Sequence, residues 1–146
     1  APIEMIFSCL SLVKLDAIQL HGDEGNSYIK ELRQRLALHF PEKKHLIIKA
    51  FQISEQEELY AAALSASDLI LLDSGSGGSG ECFDWELVRD LKRPFFLAGG
   101  IHAGNAARAI RLTRPYGLDV SSGLESGGKK DPEKIRDFMK IIRSIT

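Results

Sequence analysis

The residues in this chain best suited to chemistry sit just after short apolar runs. Asp73 closes the run Leu69-Ile70-Leu71-Leu72 and precedes Ser74-Gly75-Ser76-Gly77-Gly78-Ser79-Gly80. A carboxylate in that place can give or take a proton; it can equally cap a helix or hold an ion pair. Gly99-Gly100 follows Phe95-Phe96-Leu97-Ala98, and Ser121-Ser122-Gly123 follows Leu118-Asp119-Val120. Glycine lets backbone N–H groups approach an anion closely, and a following helix adds its N-terminal dipole. One Gly-Gly pair reads equally as a tight strand-to-helix turn. Two small-residue turns after successive runs favour a phosphate cradle made by Gly99, Gly100, Ser121 and Ser122. His21 follows Ala17-Ile18-Gln19-Leu20, and Asp119 stands in the last run. A lone histidine is more often structural than catalytic, and His39, His45 and His102 carry no partner pattern. The run Ser74 to Gly80 lacks the Gly-Lys-Ser/Thr ending of a P-loop. It reads as an active-site loop or a flexible linker, and Lys129-Lys130 reads as a solvated charge pair.

The elements that must position these residues alternate. Apolar runs at Ala17–Leu20, Leu46–Ala50, Leu69–Leu72, Phe95–Ala98 and Leu118–Val120 have the length and composition of buried parallel strands. Helix-period segments lie between them. Ile3–Leu12 opens the chain, and Ser27–His39 carries Tyr28, Ile29, Leu32, Leu36 and Phe40 on one face. Ser54–Leu64 starts with a capping-box pattern, Ser54 followed by Glu57. Asp84–Leu91 reads as a short helix, Asn105–Thr113 as one capped by Asn105, and Asp131–Ile145 as one capped by Asp131 with Pro132 in its first turn. The order α(βα)5 predicts an α/β fold with a parallel sheet and right-handed crossovers. A doubly wound open sheet and part of a (β/α)8 barrel both fit that order. Either architecture concentrates function at the C-terminal ends of the strands, where the residues above lie.

Composition narrows the class. The chain has 146 residues, 44% apolar and 27% charged, with a formal net charge of −1. These values predict a single domain spanning 1–146 and leave no concentrated basic charge for nucleic acid or an anionic membrane. No apolar run reaches the ~20 residues of a membrane helix. Ala1-Pro2-Ile3-Glu4 has no basic segment of the kind that opens a signal peptide. Cys9 and Cys82 are far apart and show no metal or disulfide spacing. The expectation is a cytoplasmic protein with no metal or disulfide spacing.

Taken in order, the motifs resemble one family. Leu15-Asp16-Ala17-Ile18-Gln19-Leu20-His21-Gly22 resembles the fourth-strand signature of phosphoribosylanthranilate isomerases. Leu71-Leu72-Asp73-Ser74, with Gly77-Gly78-Ser79-Gly80 and Phe83-Asp84-Trp85, is similar to the sixth strand and its loop. Leu97-Ala98-Gly99-Gly100-Ile101 with Asn105 is similar to the seventh. Gly117-Leu118-Asp119-Val120-Ser121-Ser122-Gly123-Leu124-Glu125, followed by Gly128-Lys129-Lys130-Asp131, is similar to the eighth. The resemblance implies a partial (β/α)8 TIM barrel whose strands correspond to barrel strands four to eight. It implies an Amadori rearrangement of phosphoribosylanthranilate in tryptophan biosynthesis, with a small phosphorylated substrate and no cofactor. Asp73 then matches the general acid, Gly99, Gly100, Ser121 and Ser122 the phosphate site, and His21 and Asp119 the substrate pocket.

The resemblance also implies what this chain lacks. The family's first strand carries a Lys-x-Cys-Gly motif whose cysteine is the base, and its second strand is followed by an Arg-bearing loop; neither motif occurs here. Cys9 falls in the opening helix and Cys82 in the loop after the third strand, so neither replaces the base. The expectation is a chain inactive by itself, needing N-terminal βα units or another chain to close the barrel. Two other readings stand beside it: another sugar-phosphate barrel enzyme, or a non-catalytic barrel fragment that keeps the phosphate site.

Overall fold

A computed structural model describes residues 1–73 and 85–145. Five strands form one parallel sheet: β1 (Ala17–Leu20), β2 (Leu46–Gln52), β3 (Leu69–Asp73), β4 (Phe95–Ala98) and β5 (Gly117–Leu118). The spatial order is β1-β2-β3-β4-β5, the order of the chain. A doubly wound sheet reverses direction at a switch point, and no strand here is inserted out of order. Helices α1 (Ile3–Leu12), α2 (Asn26–His39), α3 (Gln56–Ala63) and α4 (Ala103–Thr113) precede or link the strands, and α5 (Pro132–Ile145) closes the chain.

Strand alternation divides the sheet into two faces. On one face Ile70, Leu72, Phe95 and Leu97 pack with Ala62, Val88, Ala106, Ala109 and Phe138 from the connecting segments. Ile18, Leu20 and Ile47 pack the same way with Ile3, Leu10, Ile29, Leu32 and Leu36. Burying each of the larger side chains contributes roughly 1.5–3 kcal/mol before chain entropy is subtracted. The other face carries a smaller cluster, Ala50, Leu71 and Ala98 with Ile48 and Phe96. A Cβ on Gly117 would lie 2.7 Å from the Phe96 ring, so glycine leaves that ring its place beside β5.

Charged side chains finish the main-chain hydrogen bonding that the elements leave open. Arg93 donates to the carbonyls of Ala62 (3.2 Å), Ser65 (2.8 Å) and Ser67 (2.8 Å), tying the end of α3 to the approach to β4. Asp68 accepts from the Ile47 N–H at 2.8 Å and from Arg33 at 3.1 Å, joining β2, α2 and the entry to β3.

Several boundaries differ from the sequence expectation, four of them in a way that changes a cap or an element. The α3 cap is Glu55, with Glu58 accepting from the Glu55 N–H at 2.7 Å, because the chain stays extended through Glu55. The expected pair of Ser54 and Glu57 lies one residue out of that register. The α4 cap is His102, and Asn105 sits in the first turn, its side chain accepting from the His102 N–H at 2.9 Å. Trp85–Val88 is a single 3-10 turn, where an α-helix reaching Leu91 was expected; Asp84, where that helix was to begin, lies outside the described residues. Strand β5 is Gly117–Leu118, and the chain leaves the ladder at Asp119. Among the described residues no helix is long and apolar enough to cross a membrane.

Asp131 caps α5 as its sequence predicts, its Oδ1 accepting from the N–H groups of Glu133 (2.9 Å) and Lys134 (3.3 Å). A hydrogen bond from Ser126, then those two N–H groups, hold its carboxyl below the usual 3.8. A depressed folded pKa adds stability at pH values above the unfolded one, and that stability fades as pH falls through the folded pKa. The stability lost by Asp131→Ala, from urea unfolding, should therefore be full at about pH 7 and shrink toward zero near about pH 2. A loss of equal size at both pH values would show that the ionised carboxylate is not what caps the helix.

Candidate active site

Parallel pairing sets three chain ends side by side. Asp73, the last residue of β3, pairs with Ala98, the last of β4. The Asp119 N–H donates to the Leu97 carbonyl at 2.9 Å, so Asp119 arrives at the same level from β5. Alternation puts Asp73 on the face of Leu71 and Ala98, away from the larger core. A cavity of about 190 Å³ opens there, lined by Asp73, Ala98, Gly99, Gly100, Ile101, Asp119, Val120, Ser121 and Ser122. It is smaller than the ~300 Å³ at which small-molecule pockets usually begin. The described residues thus enclose the space of an anionic head group more readily than that of a whole substrate.

Two glycine turns shape the cavity. Gly99 (φ 80°) and Gly100 (φ 62°) both take the left-handed conformation, which costs other L-residues roughly 1–2 kcal/mol each. The turn is held from α4: Asn105 Nδ2 donates to the Gly100 carbonyl at 2.9 Å, and His102 Nδ1 accepts from the Gly104 N–H at 3.1 Å. The second turn packs on the first through bare backbone. A Cβ on Gly123 would lie 2.0 Å from the Ile101 carbonyl oxygen and 3.0 Å from the His102 Cβ. Only glycine lets the two turns meet this closely.

A latch follows the second turn. Glu125–Ser126 (β6) and Lys129–Lys130 (β7) form an antiparallel pair, turned by Gly127 and Gly128 at positive φ. Lys129 and Lys130 are both exposed, as expected, but Lys130 is also bonded to its neighbours. Its Nζ donates to the Ser121 carbonyl (3.0 Å), to Ser121 Oγ (3.0 Å) and to Glu125 Oε1 (2.7 Å). That hydrogen bond from Lys130 is the main reason the Glu125 carboxyl sits below its ordinary range. The hairpin thereby fixes Ser121, which sequence reasoning could not foresee because it needs two residues nine apart to meet.

The structure brings Asp73, Gly99, Gly100, Asp119, Ser121 and Ser122 together in one cavity. It does not bring His21 with them: His21 follows β1, at the far edge of the sheet, and is exposed. The small-residue run Ser74 to Gly80, with Cys82, Phe83 and Asp84, lies outside the described residues. A larger cavity of about 570 Å³, lined by Arg89, Arg93, Arg111 and Arg114 with Phe95 and Thr113, opens at the opposite end of β4. It holds none of the strand-end groups. Among the described residues no three His, Cys, Asp or Glu side chains converge as a metal site.

The chain is similar to known proteins of one family. The family model for N-(5'-phosphoribosyl)anthranilate (PRA) isomerase matches residues 1–141. An N-(5'-phosphoribosyl)anthranilate isomerase of Endomicrobium trichonymphae is 42% identical over 135 residues, covering 90% of this chain and 62% of that protein. The crystal structure of phosphoribosyl anthranilate isomerase from Thermotoga maritima superposes with a TM-score of 0.81 at 36% identity, covering 99% of this chain and 69% of that one. A phosphoribosyl anthranilate isomerase in complex with reduced 1-(o-carboxyphenylamino)-1-deoxyribulose 5-phosphate superposes at 0.78 and 34% identity, covering 99% and 68%. The chain thus spans about two thirds of the length of these relatives. With a family model matched over residues 1–141 and solved family structures superposing along nearly the whole chain, the chain belongs to the N-(5'-phosphoribosyl)anthranilate isomerase family.

Proposed function

We propose that the protein isomerises N-(5'-phosphoribosyl)anthranilate to 1-(2-carboxyphenylamino)-1-deoxyribulose 5-phosphate in tryptophan biosynthesis. The observation that carries this reading is the meeting of Asp73 with two glycine- and serine-lined turns in one cavity, in a chain of this family. Asp73 gives a proton to the ribose ring oxygen as the bond from that oxygen to C1 breaks, leaving a C1–nitrogen iminium. A base then takes the C2 proton, and the electron pair moves into the C1–C2 bond while the iminium nitrogen becomes an amine. Proton return to C1 and loss of the C2 hydroxyl proton give the ketone. The iminium is the electron sink, so the steps need no cofactor. Asp73 must hold a proton when the substrate binds, which a neighbouring substrate carboxylate or phosphate favours.

The phosphate is assigned to Gly99, Gly100, Ser121 and Ser122, and the substrate pocket to Asp119 and His21. Supporting the cradle are the paired positive-φ glycines and the backbone contact that Gly123 permits. Residues 1–146 form one domain on this reading, equivalent to strands four to eight of a (β/α)8 barrel in a cytoplasmic enzyme. Among the described residues, strands β1 and β5 each pair on one side only, and an open strand edge calls for a partner. N-terminal βα units, or another chain, fill that place and bring the base. The 146-residue chain by itself is then inactive.

Three experiments test the reading. Inorganic phosphate, titrated while the backbone amide signals are followed, should shift the amides of Gly99, Gly100, Ser121 and Ser122, and Gly123→Ala should weaken that binding at least tenfold. Shifts confined to other turns would move the phosphate site elsewhere. In the full-length protein, Asp73→Asn should lower kcat by roughly 10²–10⁴-fold while substrate still binds; near-normal turnover would remove Asp73 from the acid role. The isolated 146-residue chain should show no turnover above background, and robust activity would mean that the base lies within it.

A further inference from the structure

Lys49 is a cation inside the sheet. It is 5% exposed, and alternation puts it on the face of Ile47, among the helix-packed side chains and away from the face of Asp73. An ammonium is tolerated there only if its charge and its donors are met. Its Nζ donates to the Gly22 carbonyl at 2.5 Å and to the Ala50 carbonyl at 3.0 Å, and it lies 3.6 Å from Glu24 Oε2. The Phe51 ring centroid is 5.3 Å away. Glu24 Oε2 in turn accepts from the Gly22 N–H at 2.9 Å.

Gly22 is thus gripped at both its N–H and its C=O by the two members of one ion pair. The peptide plane that contains the Gly22 N–H also contains the His21 carbonyl, so anchoring it sets the direction in which the His21 side chain leaves the end of β1. Glycine supplies no such restraint itself. A Cβ at Gly22 would lie 3.2 Å from Glu24 Oε1, so the missing side chain is the room that the carboxylate uses. The Glu24 carboxyl lies below its ordinary range: burial opposes this, but hydrogen bonds from the N–H groups of Glu24 and Gly22 outweigh it, and Lys49 adds to them. It is therefore ionised at neutral pH, as the grip requires.

We propose that Lys49 and Glu24 are positioning residues that act through the Gly22 backbone, aiming the His21 imidazole at the substrate from behind the sheet. The proposal rests on the assignment of His21 to the substrate pocket made above. Neither Lys49 nor Glu24 touches substrate on this view, so their loss acts only as far as His21 does.

The test uses the full-length protein, with Lys49→Met, Glu24→Gln, His21→Ala and the double variant Lys49→Met/His21→Ala. Lys49→Met and Glu24→Gln should each lower kcat/KM by about tenfold to a hundredfold, mostly through KM, with the His21 ring proton signals displaced in the NMR spectrum. In the His21→Ala background, Lys49→Met should have no further effect on kcat/KM. Additive losses in the double variant, or Lys49→Met with unchanged kinetics and an unmoved His21 signal, would overturn the proposal. If His21→Ala itself keeps normal kcat/KM, the substrate role of His21 fails, and the displacement of the His21 signal alone decides the grip. Should Lys49→Met not fold, Lys49→Met with Glu24→Leu removes both charges together and strands neither. That pair carries the same kinetic and spectroscopic expectation.

Discussion

Parallel hydrogen-bond register is the constraint on which the site depends. Asp73 pairs with Ala98, and Asp119 reaches the Leu97 carbonyl. An acid, a glycine turn and a serine turn, separated by dozens of residues in the chain, thereby end at one level of one sheet. A slip of one residue in β3 would turn Asp73 to the helix-packed face, because side chains alternate with a period of two. Burial guards against that slip. Ile70 and Leu72 are fully buried on the far side of the strand, and exposing them would cost far more than any single contact in the site contributes.

Close backbone approach is the second requirement, and it follows from the first. Once β4 and β5 end side by side, the turns after them must share a small volume. Gly99 and Gly100 give a curvature that side chains resist, and Gly123 lets the second turn lie against the Ile101 carbonyl. The supports are polar and specific. Asn105 holds the first turn from α4, and Lys130 holds Ser121 from the β6–β7 hairpin. Each support reaches main chain, so each works on the shape of the turn.

Elsewhere the same device recurs. Arg93 meets the carbonyls at the end of α3, Asp68 meets the Ile47 N–H, and Lys49 with Glu24 meets both polar groups of Gly22. Hydrogen bonds to charged groups are among the stronger ones, and leaving such a buried group without a partner is costly. These charged residues are thus used where the chain must be held in one path between elements.

The sequence by itself determined the alternation of strands and helices, the chain ends at Asp73, Ala98 and His21, and the cap at Asp131. These are local matters of apolar period, length and turn chemistry, and they are written in neighbouring residues. The family resemblance was equally legible, since ordered short motifs survive without any knowledge of contacts. Only the tertiary structure decided which strand ends share a cavity. It joined Asp73 and Asp119 to the two glycine turns and left His21 at the sheet edge. It also gave roles to Lys130 and Lys49, whose partners lie in turns distant along the chain. Such a role depends on the distance between side chain and backbone after packing, and residue type and spacing do not contain that distance.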